Sequence, residues 1–96
     1  MAGIELAPEA ERELLEARSW YLAENASVAR SFAEAVDSAF AAVLEFPDAW
    51  PKVTADERRY RLTRFPYAVI YRVVEGRVLV VAVAHAKRRP GYWLGR

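Results

Sequence analysis

The chain contains no cysteine and one histidine among its 96 residues. Disulfide bonds and thiolate metal sites are therefore excluded, and one imidazole is too little for a His/Cys zinc site. The four glycines are scattered and form no phosphate-binding loop, and no spaced cluster of acidic residues suggests a metal cage. All the serines lie in the first half of the chain, remote in sequence from His85, which disfavours a Ser/His hydrolase. We expect no metal and no cofactor.

Long hydrophobic runs are also missing. No apolar stretch reaches the roughly 18–20 residues needed to cross a bilayer. The first residues, Met1 to Glu5, lack the basic start and long apolar run of a signal peptide. We therefore expect a cytoplasmic protein with no membrane partner, and a reducing cytosol agrees with the lack of cysteine.

Material for a hydrophobic core is abundant by contrast. Hydrophobic residues make up 54% of the chain and aromatic residues 12%, which excludes a disordered chain. A chain of 96 residues has room for one core and little more. The sequence therefore predicts a single domain spanning residues 1–96.

Acidic and basic residues are segregated between the two halves of the chain. Residues 1–57 hold twelve acidic and four basic residues, a net charge of −8. Residues 58–96 hold one acidic and ten basic residues, a net charge of +9. Such segregation suggests an acidic or polyanionic partner for the basic half, although part of the charge can be neutralised within the molecule.

The acidic half has helical periodicity. A short edge strand at residues 4–6 precedes a helix that starts at Pro8, a residue tolerated in the first turn. Its predicted apolar face consists of Ala10, Leu14, Ala17 and Tyr21, widened by Leu15 and Leu22. Ser27 is the predicted N-cap of a second helix. That helix ends before Pro47, and its apolar face comprises Phe32, Val36, Ala39, Phe40, Val43 and Leu44.

The basic half alternates with a period of two, which is typical of strands. We predict strands at residues 58–65 and 67–74, a tight turn at Glu75-Gly76, and a central strand at residues 77–85 that is apolar on both faces. The tail, residues 86–96, is too rich in Arg, Gly and Pro to continue this strand. The fold class is therefore α+β, in the order β-α-α-β-β-β, with a helical hairpin packed on one face of a mostly antiparallel twisted sheet.

A cluster of basic and aromatic residues follows the last predicted strand. Such clusters can hold phosphates and stack bases. With the arginines of neighbouring strands, the candidate target-binding residues are Arg59, Arg61, Arg72, Arg88, Arg89, Tyr92 and Trp93. A metal-independent RNA-cleaving site could use His85, Lys87, Arg88 and Tyr92 as its proton-transfer and charge-stabilising groups. The alternatives are a structural role for His85 and a packing role for Tyr92 and Trp93.

Three segments together resemble one known family. They are residues 65–73 (FPYAVIYRV), residues 80–85 (VVAVAH) and residues 88–93 (RRPGYW), with Phe46-Pro47 and Trp50-Pro51 in support. The chain resembles the ParE branch of the RelE/ParE toxin superfamily, and the likeness covers nearly its whole length.

This resemblance implies the toxin of a bacterial type II toxin–antitoxin module. The implied partner is a small antitoxin protein whose C-terminal segment is largely disordered until it wraps the toxin. We expect that segment to lie on the helical hairpin and the sheet surface. The other end of an antitoxin binds DNA, so DNA would be reached only indirectly.

The superfamily contains two activities. ParE-like members poison DNA gyrase, which arrests growth and can stabilise plasmids, whereas RelE-like members cut messenger RNA on the ribosome. An arginine of the RelE pattern falls on Ala68 here, and RelE lysines are replaced at best by Arg59 and Arg61, which hold their protons too tightly for proton transfer. The resemblance therefore favours gyrase as the target. The alternatives are a ribosome-dependent endoribonuclease and a non-toxic binding module of the same fold.

Overall fold

The computed structural model describes residues 3–96, which contain two helices and four strands. In chain order they are β1 (Ile4–Leu6), α1 (Pro8–Glu24), α2 (Ala26–Glu45), β2 (Arg58–Arg61), β3 (Tyr67–Val74) and β4 (Arg77–His85). The strands lie side by side in the order β1-β4-β3-β2. β1 is parallel to β4, and the other pairs are antiparallel. The predicted α+β class and element order are confirmed.

α1 packs on the sheet through a narrow strip of small side chains. Ala10 and Ala17 are buried, and Leu14 and Tyr21 pack beside them. Leu15 and Leu22 were predicted to widen this strip, but they are 52% and 57% exposed. Each lies one residue past a strip position, which turns its side chain by about 100° around the helix axis. The narrow strip leaves apolar surface of α1 in contact with solvent.

A single residue, Asn25, separates α1 from α2, and it is the cap of α2. Asn25 accepts hydrogen bonds through Oδ1 from the backbone N–H groups of Ser27, at 2.7 Å, and Val28, at 3.4 Å. The N-cap is therefore Asn25, and the prediction of Ser27 is wrong. Both residue types cap helices well, and the extended backbone of Asn25, at φ −169°, determines which one does so here.

Replacing the cap should cost measurable stability. We expect Asn25→Ala to lower the free energy of unfolding by about 1 kcal/mol, because two backbone donors lose their acceptor. Ser27→Ala is the matched control, since the Ser27 side chain does not cap the helix, and it should change stability by less than about 0.5 kcal/mol. Urea unfolding followed by circular dichroism measures both variants, and equal losses would contradict the assignment.

The larger core lies between the helices and one face of the sheet, which we call the helical face. α2 contributes Phe32, Val36, Ala39, Phe40 and Val43, all 7% exposed or less. β3 and β4 contribute Val69, Tyr71, Val78, Val80 and Val83. The buried Tyr71 hydroxyl donates to the Pro47 carbonyl at 2.6 Å, which fastens the loop after α2 to the sheet.

β2 is shorter than predicted, ending at Arg61 and not at Phe65. Arg64 has a φ of 71°, in the left-handed region that extended strands do not use. Pro66 has no N–H to donate to a ladder. The segment between β2 and β3 therefore bends, although Leu62 remains buried at 6% exposure.

β4 is a central strand of the sheet, as predicted, and it carries a bulge. Ile70 pairs with Ala82 whereas Tyr71 pairs with Val80, so Val81 has no partner on β3. Val81 and Ala82 consequently both pack on the sheet's second face, opposite the helical face. There they form a smaller core with Ala68, Ile70 and Trp93. The tail thus returns across the second face and covers part of it.

Candidate functional site

A groove with a volume of about 690 Å³ lies on the second face of the sheet, between β2 and the tail. Four arginines line it: Arg59 and Arg61 from β2, and Arg88 and Arg89 from the tail. Ala68 and Ile70 of β3, together with Ala84 of β4, line it between these two walls. We call this feature the arginine groove.

The β2 wall follows from strand alternation. Tyr60 faces the helical face, where its ring packs edge-on against Trp50 with the centroids 4.6 Å apart. Arg58 points the same way and donates through Nη1 to the Trp50 carbonyl at 2.7 Å. Because successive strand residues alternate, Arg59 and Arg61 point to the opposite face. β2 therefore presents two guanidinium groups to the groove.

The tail wall is a series of turns. Backbone hydrogen bonds join Arg88 N–H to the His85 carbonyl at 3.0 Å and Tyr92 N–H to the Arg89 carbonyl at 3.1 Å. Gly91 has a φ of 77°, where a residue with a Cβ atom would be strained. The Arg88 guanidinium lies 3.9 Å from the centroid of the Tyr92 ring, a cation–π contact that restricts its position.

A largely buried carboxylate holds this tail in place. Glu13 of α1 accepts hydrogen bonds through Oε1 from Arg96 Nη1 at 2.8 Å and from the Val83 backbone N–H at 3.1 Å. Its Oε2 accepts from the Tyr92 hydroxyl at 2.5 Å. Arg96 also donates to the Val81 carbonyl at 3.2 Å. We call Glu13, Tyr92 and Arg96 the tail clasp.

The tail clasp lies where β1 stops. β1 pairs with β4 only as far as Val80, so the backbone beyond it needs other partners. The Val83 N–H and the Val81 carbonyl find them in the Glu13 and Arg96 side chains. The carboxylate and guanidinium therefore take the place of a neighbouring strand at this point of β4.

Sequence reasoning did not identify Glu13. Its signal was nevertheless present, because Glu13 lies on the apolar strip of α1, beside Leu14 and midway between Ala10 and Ala17. The Glu13 side chain is 10% exposed and that of Arg96 is 14% exposed. A carboxylate on a buried helix face requires a cationic or hydrogen-bonding partner.

The tail clasp shifts two proton equilibria. Burial and the hydrogen bond to Glu13 raise the pKa of Tyr92 well above its ordinary value. The hydrogen bond to Glu13 also raises the pKa of Arg96. The raised pKa makes the Tyr92 hydroxyl a weaker acid, and this hydroxyl already donates to Glu13, so Tyr92 is a poor general acid for a bound substrate.

Two of the predicted target-binding residues have structural roles. Trp93 is 7% exposed in the smaller core and so offers little surface to a target. Arg72 donates through Nη1 to the buried Glu57 carboxylate at 3.2 Å and through Nη2 to the Arg96 backbone oxygen at 3.1 Å. Arg72 therefore fastens the tail and is absent from the groove lining.

The ribonuclease candidates come together only in part. His85, Arg88 and Tyr92 all line the arginine groove, whereas Lys87 is exposed outside the lining. His85 Nδ1 accepts a hydrogen bond from the Lys87 backbone N–H at 3.0 Å. Its ring also packs edge-on against Tyr67, with the centroids 4.9 Å apart. His85 therefore has a structural role in the turn that starts the tail.

The four groove arginines keep their charge unneutralised. Within residues 3–96, ion pairs join Arg12 to Glu16, Arg72 to Glu57 and Arg96 to Glu13, and none involves a groove arginine. The same part of the chain contains no group of three His, Cys, Asp or Glu residues placed to hold a metal ion. None of its helices combines the length and apolarity needed to span a membrane. The groove can bind anionic groups by charge and hydrogen bonding.

Comparison with known proteins agrees with the fold. The chain is similar to a protein of the solved structure "Chromosomal ParDE TA system from P. aeruginosa", with a TM-score of 0.63 at 15% identity. The match covers 91% of this chain and 98% of that one. No curated protein matches the sequence. The profile of the family described as "ParE toxin of type II toxin-antitoxin system, parDE" matches residues 4–90. The chain therefore belongs to the ParE toxin family of type II toxin–antitoxin systems.

Proposed function

We propose that residues 1–96 act as one toxin domain in the bacterial cytoplasm, where the chain inhibits DNA gyrase by protein–protein contact and thereby arrests growth. A cognate antitoxin neutralises it, and DNA is reached only through gyrase or the antitoxin. The observation that carries this proposal is the arginine groove, with four unneutralised guanidinium groups in a chain of the ParE family.

The floor of the groove favours protein contact over RNA cleavage. Ala68, the position at which the RelE pattern has an arginine, is 9% exposed within the smaller core. It adds no charge where RNA cleavage would need one. The hydroxyl of Tyr92, the candidate acid, already donates a hydrogen bond to Glu13. These two features support a gyrase-directed toxin that does not cut nucleic acid.

The helical hairpin offers the antitoxin a second surface. Leu15, Trp20 and Leu22 of α1 are 52%, 65% and 57% exposed. Leu15 and Leu22 lie seven residues apart on one side of α1 and form an exposed apolar pair that a partner could cover, whereas Trp20 lies on another side of the helix. An antitoxin segment that is both acidic and apolar could cover this surface and extend to the groove, which agrees with wrapping around the toxin.

Pulse-labelling after induction of the chain without its antitoxin tests the proposal. We expect DNA synthesis to fall first and protein synthesis to follow later. An immediate stop in protein synthesis would contradict gyrase inhibition and would identify the ribosome and its mRNA as the target. Unaffected growth would instead indicate a non-toxic binding module.

Reversing the charge of groove arginines should weaken gyrase inhibition without unfolding the protein. We expect Arg59→Glu combined with Arg88→Glu to weaken inhibition of purified gyrase by on the order of tenfold or more, because both walls would repel an acidic surface. Arg77→Glu is the matched control, since Arg77 is exposed at the far end of β4 and does not line the groove. A supercoiling assay measures inhibition. Equal effects of the two changes would show that the groove does not contact gyrase.

A further inference from the structure

The exposed side of α1 carries a repeat of seven residues. Pro8, Leu15 and Leu22 lie at this spacing, and residues seven apart on a helix differ by only about 20° around its axis. All three are exposed, and they lie on the side of α1 away from the buried Ala10 and Ala17. They form an apolar line along the helix, which we call the α1 seam.

Within residues 3–96, the surface around the middle of the α1 seam is formed by α1 alone. A shallow depression with a volume of about 520 Å³ lies beside Leu15. All of its lining residues belong to α1: Pro8, Glu11, Arg12, Leu15, Glu16 and Ser19. Another helix can therefore approach α1 closely at this point.

Charged residues of both signs flank the α1 seam. Glu11 and Arg18 lie on one side of the seam, and Arg12 and Glu16 lie on the other side. All four side chains are exposed. Within residues 3–96, Arg12 approaches Glu16 at 3.9 Å, whereas Glu11 and Arg18 take part in no ion pair. Each side of the seam thus holds one acid and one base, in opposite order along the helix.

This charge pattern is complementary to itself when two copies meet in opposite directions. In an antiparallel pair with twofold symmetry, each side of the seam faces the same side of the second copy. With the twofold axis beside Leu15, Glu11 faces Arg18 of the second copy, and Arg18 faces Glu11. On the other side of the seam, Arg12 lies beside Glu16 of the second copy. Four pairs of opposite charge therefore surround the contact.

We propose that the chain forms a symmetric dimer through the α1 seam, with the two α1 helices antiparallel. Leu15 packs against Leu15 of the second copy at the axis, and Leu22 packs against Pro8 at each end. The antiparallel direction also sets the two helix dipoles against each other, which is favourable. The inference goes beyond the proposed function and does not rest on it.

The contact is small, so the dimer is weak. α1 has 17 residues and is about 25 Å long, and two such helices bury less than the roughly 1,200 Å² of a stable complex. We expect a dissociation constant on the order of 10–100 µM. Leu15 and Leu22 also belong to the surface proposed for the antitoxin. The second copy and the antitoxin therefore exclude each other, and the dimer is expected of the chain without antitoxin.

Sedimentation equilibrium of the chain without antitoxin tests this inference. We expect the average mass to rise from monomer toward dimer as the concentration passes the dissociation constant. Leu15→Ser should raise that constant by on the order of tenfold or more, because symmetry removes two leucines from the contact. Trp20→Ser is the matched control, since Trp20 is exposed on another side of α1, and it should leave the constant unchanged.

Exchanging two charges tests the direction of the helices. Glu11→Arg alone should weaken the dimer by on the order of tenfold, because two attractive pairs become repulsive. Glu11→Arg combined with Arg18→Glu should restore dimerisation, since each pair again joins opposite charges. In a parallel dimer Glu11 would face Arg12 of the second copy, and the exchange would weaken the contact further. Glu34→Arg, at an exposed position on α2, is the control for the change in net charge.

A chain that stays monomeric well above about 100 µM would overturn the inference. A dimer that Leu15→Ser leaves intact, or that the exchange of charges fails to restore, would also overturn it. Thermal melting of each variant shows that it is folded. The gyrase assay is independent of these results. A monomer that inhibits gyrase would refute this inference alone, and a dimer that leaves gyrase active would refute the proposed target alone.

Discussion

Val83→Asp should abolish cooperative folding. Val83 is 2% exposed at the centre of β4 and belongs to the larger core. An unpaired carboxylate there costs several kcal/mol or must take up a proton, and the whole stability of a small domain is only about 5–15 kcal/mol. Val81→Asp should act in the same way from the smaller core, where Val81 is also 2% exposed.

Val74→Asp is the matched control, because Val74 is 44% exposed at the end of β3. We expect it to change stability by less than about 1 kcal/mol. Thermal unfolding by circular dichroism distinguishes the variants. A soluble Val83→Asp protein that melts cooperatively near the wild-type temperature would show that the central strand is wrongly placed.

Glu13→Ala should strongly destabilise the fold. It would leave the Arg96 guanidinium, 14% exposed, and the Tyr92 hydroxyl without their shared acceptor. The Val83 N–H would lose its acceptor as well. Removing one partner of a buried ion pair costs about 3–5 kcal/mol. We expect a loss of this size in the free energy of unfolding, measured in urea.

Glu16→Ala is the control one turn along the same helix face. Glu16 has a side chain 72% exposed and approaches Arg12 only at 3.9 Å, so its loss should cost at most about 0.5 kcal/mol. Combining Glu13→Leu with Arg96→Met should restore part of the stability, because neither charge then remains buried and unpaired. Similar effects of Glu13→Ala and Glu16→Ala would show that the tail clasp does not hold the tail.

The tail clasp also connects stability to function. Tyr92 and Arg96 fasten the tail that carries Arg88 and Arg89, and Arg88 is positioned by the Tyr92 ring. Loosening the tail would therefore displace one wall of the arginine groove. A residue of the acidic half of the chain thus positions residues of the basic half, and part of the segregated charge is neutralised within the molecule.

The spacing of apolar side chains was sufficient to predict those helices and strands in which the spacing is regular. The apolar face of α2 and the bounds of β3 and β4 follow from side chains that recur every three to four or every two residues. Two of the three segments that carry the resemblance to ParE toxins, residues 65–73 and 80–85, overlap β3 and β4, whereas the third, residues 88–93, lies in the tail. The predictions failed where a single residue decided the local structure. The N-cap of α2 is Asn25 and not Ser27, and the left-handed backbone of Arg64 prevents β2 from extending to Phe65.

The sequence by itself determined the order of the elements, the apolar faces that pack and the presence of a basic C-terminal half, because each depends on residues close together in the chain. Only the tertiary structure decided which arginines share a groove, that Trp93 is buried, and that Glu13 meets Arg96 across 83 residues. These contacts depend on the bulge at Val81 and on the end of β1 at Leu6, which leave backbone groups of β4 open to the two side chains. Such unpaired backbone groups cannot be predicted from residues that are neighbours in sequence. Which backbone groups remain unpaired is decided only when the strands pair.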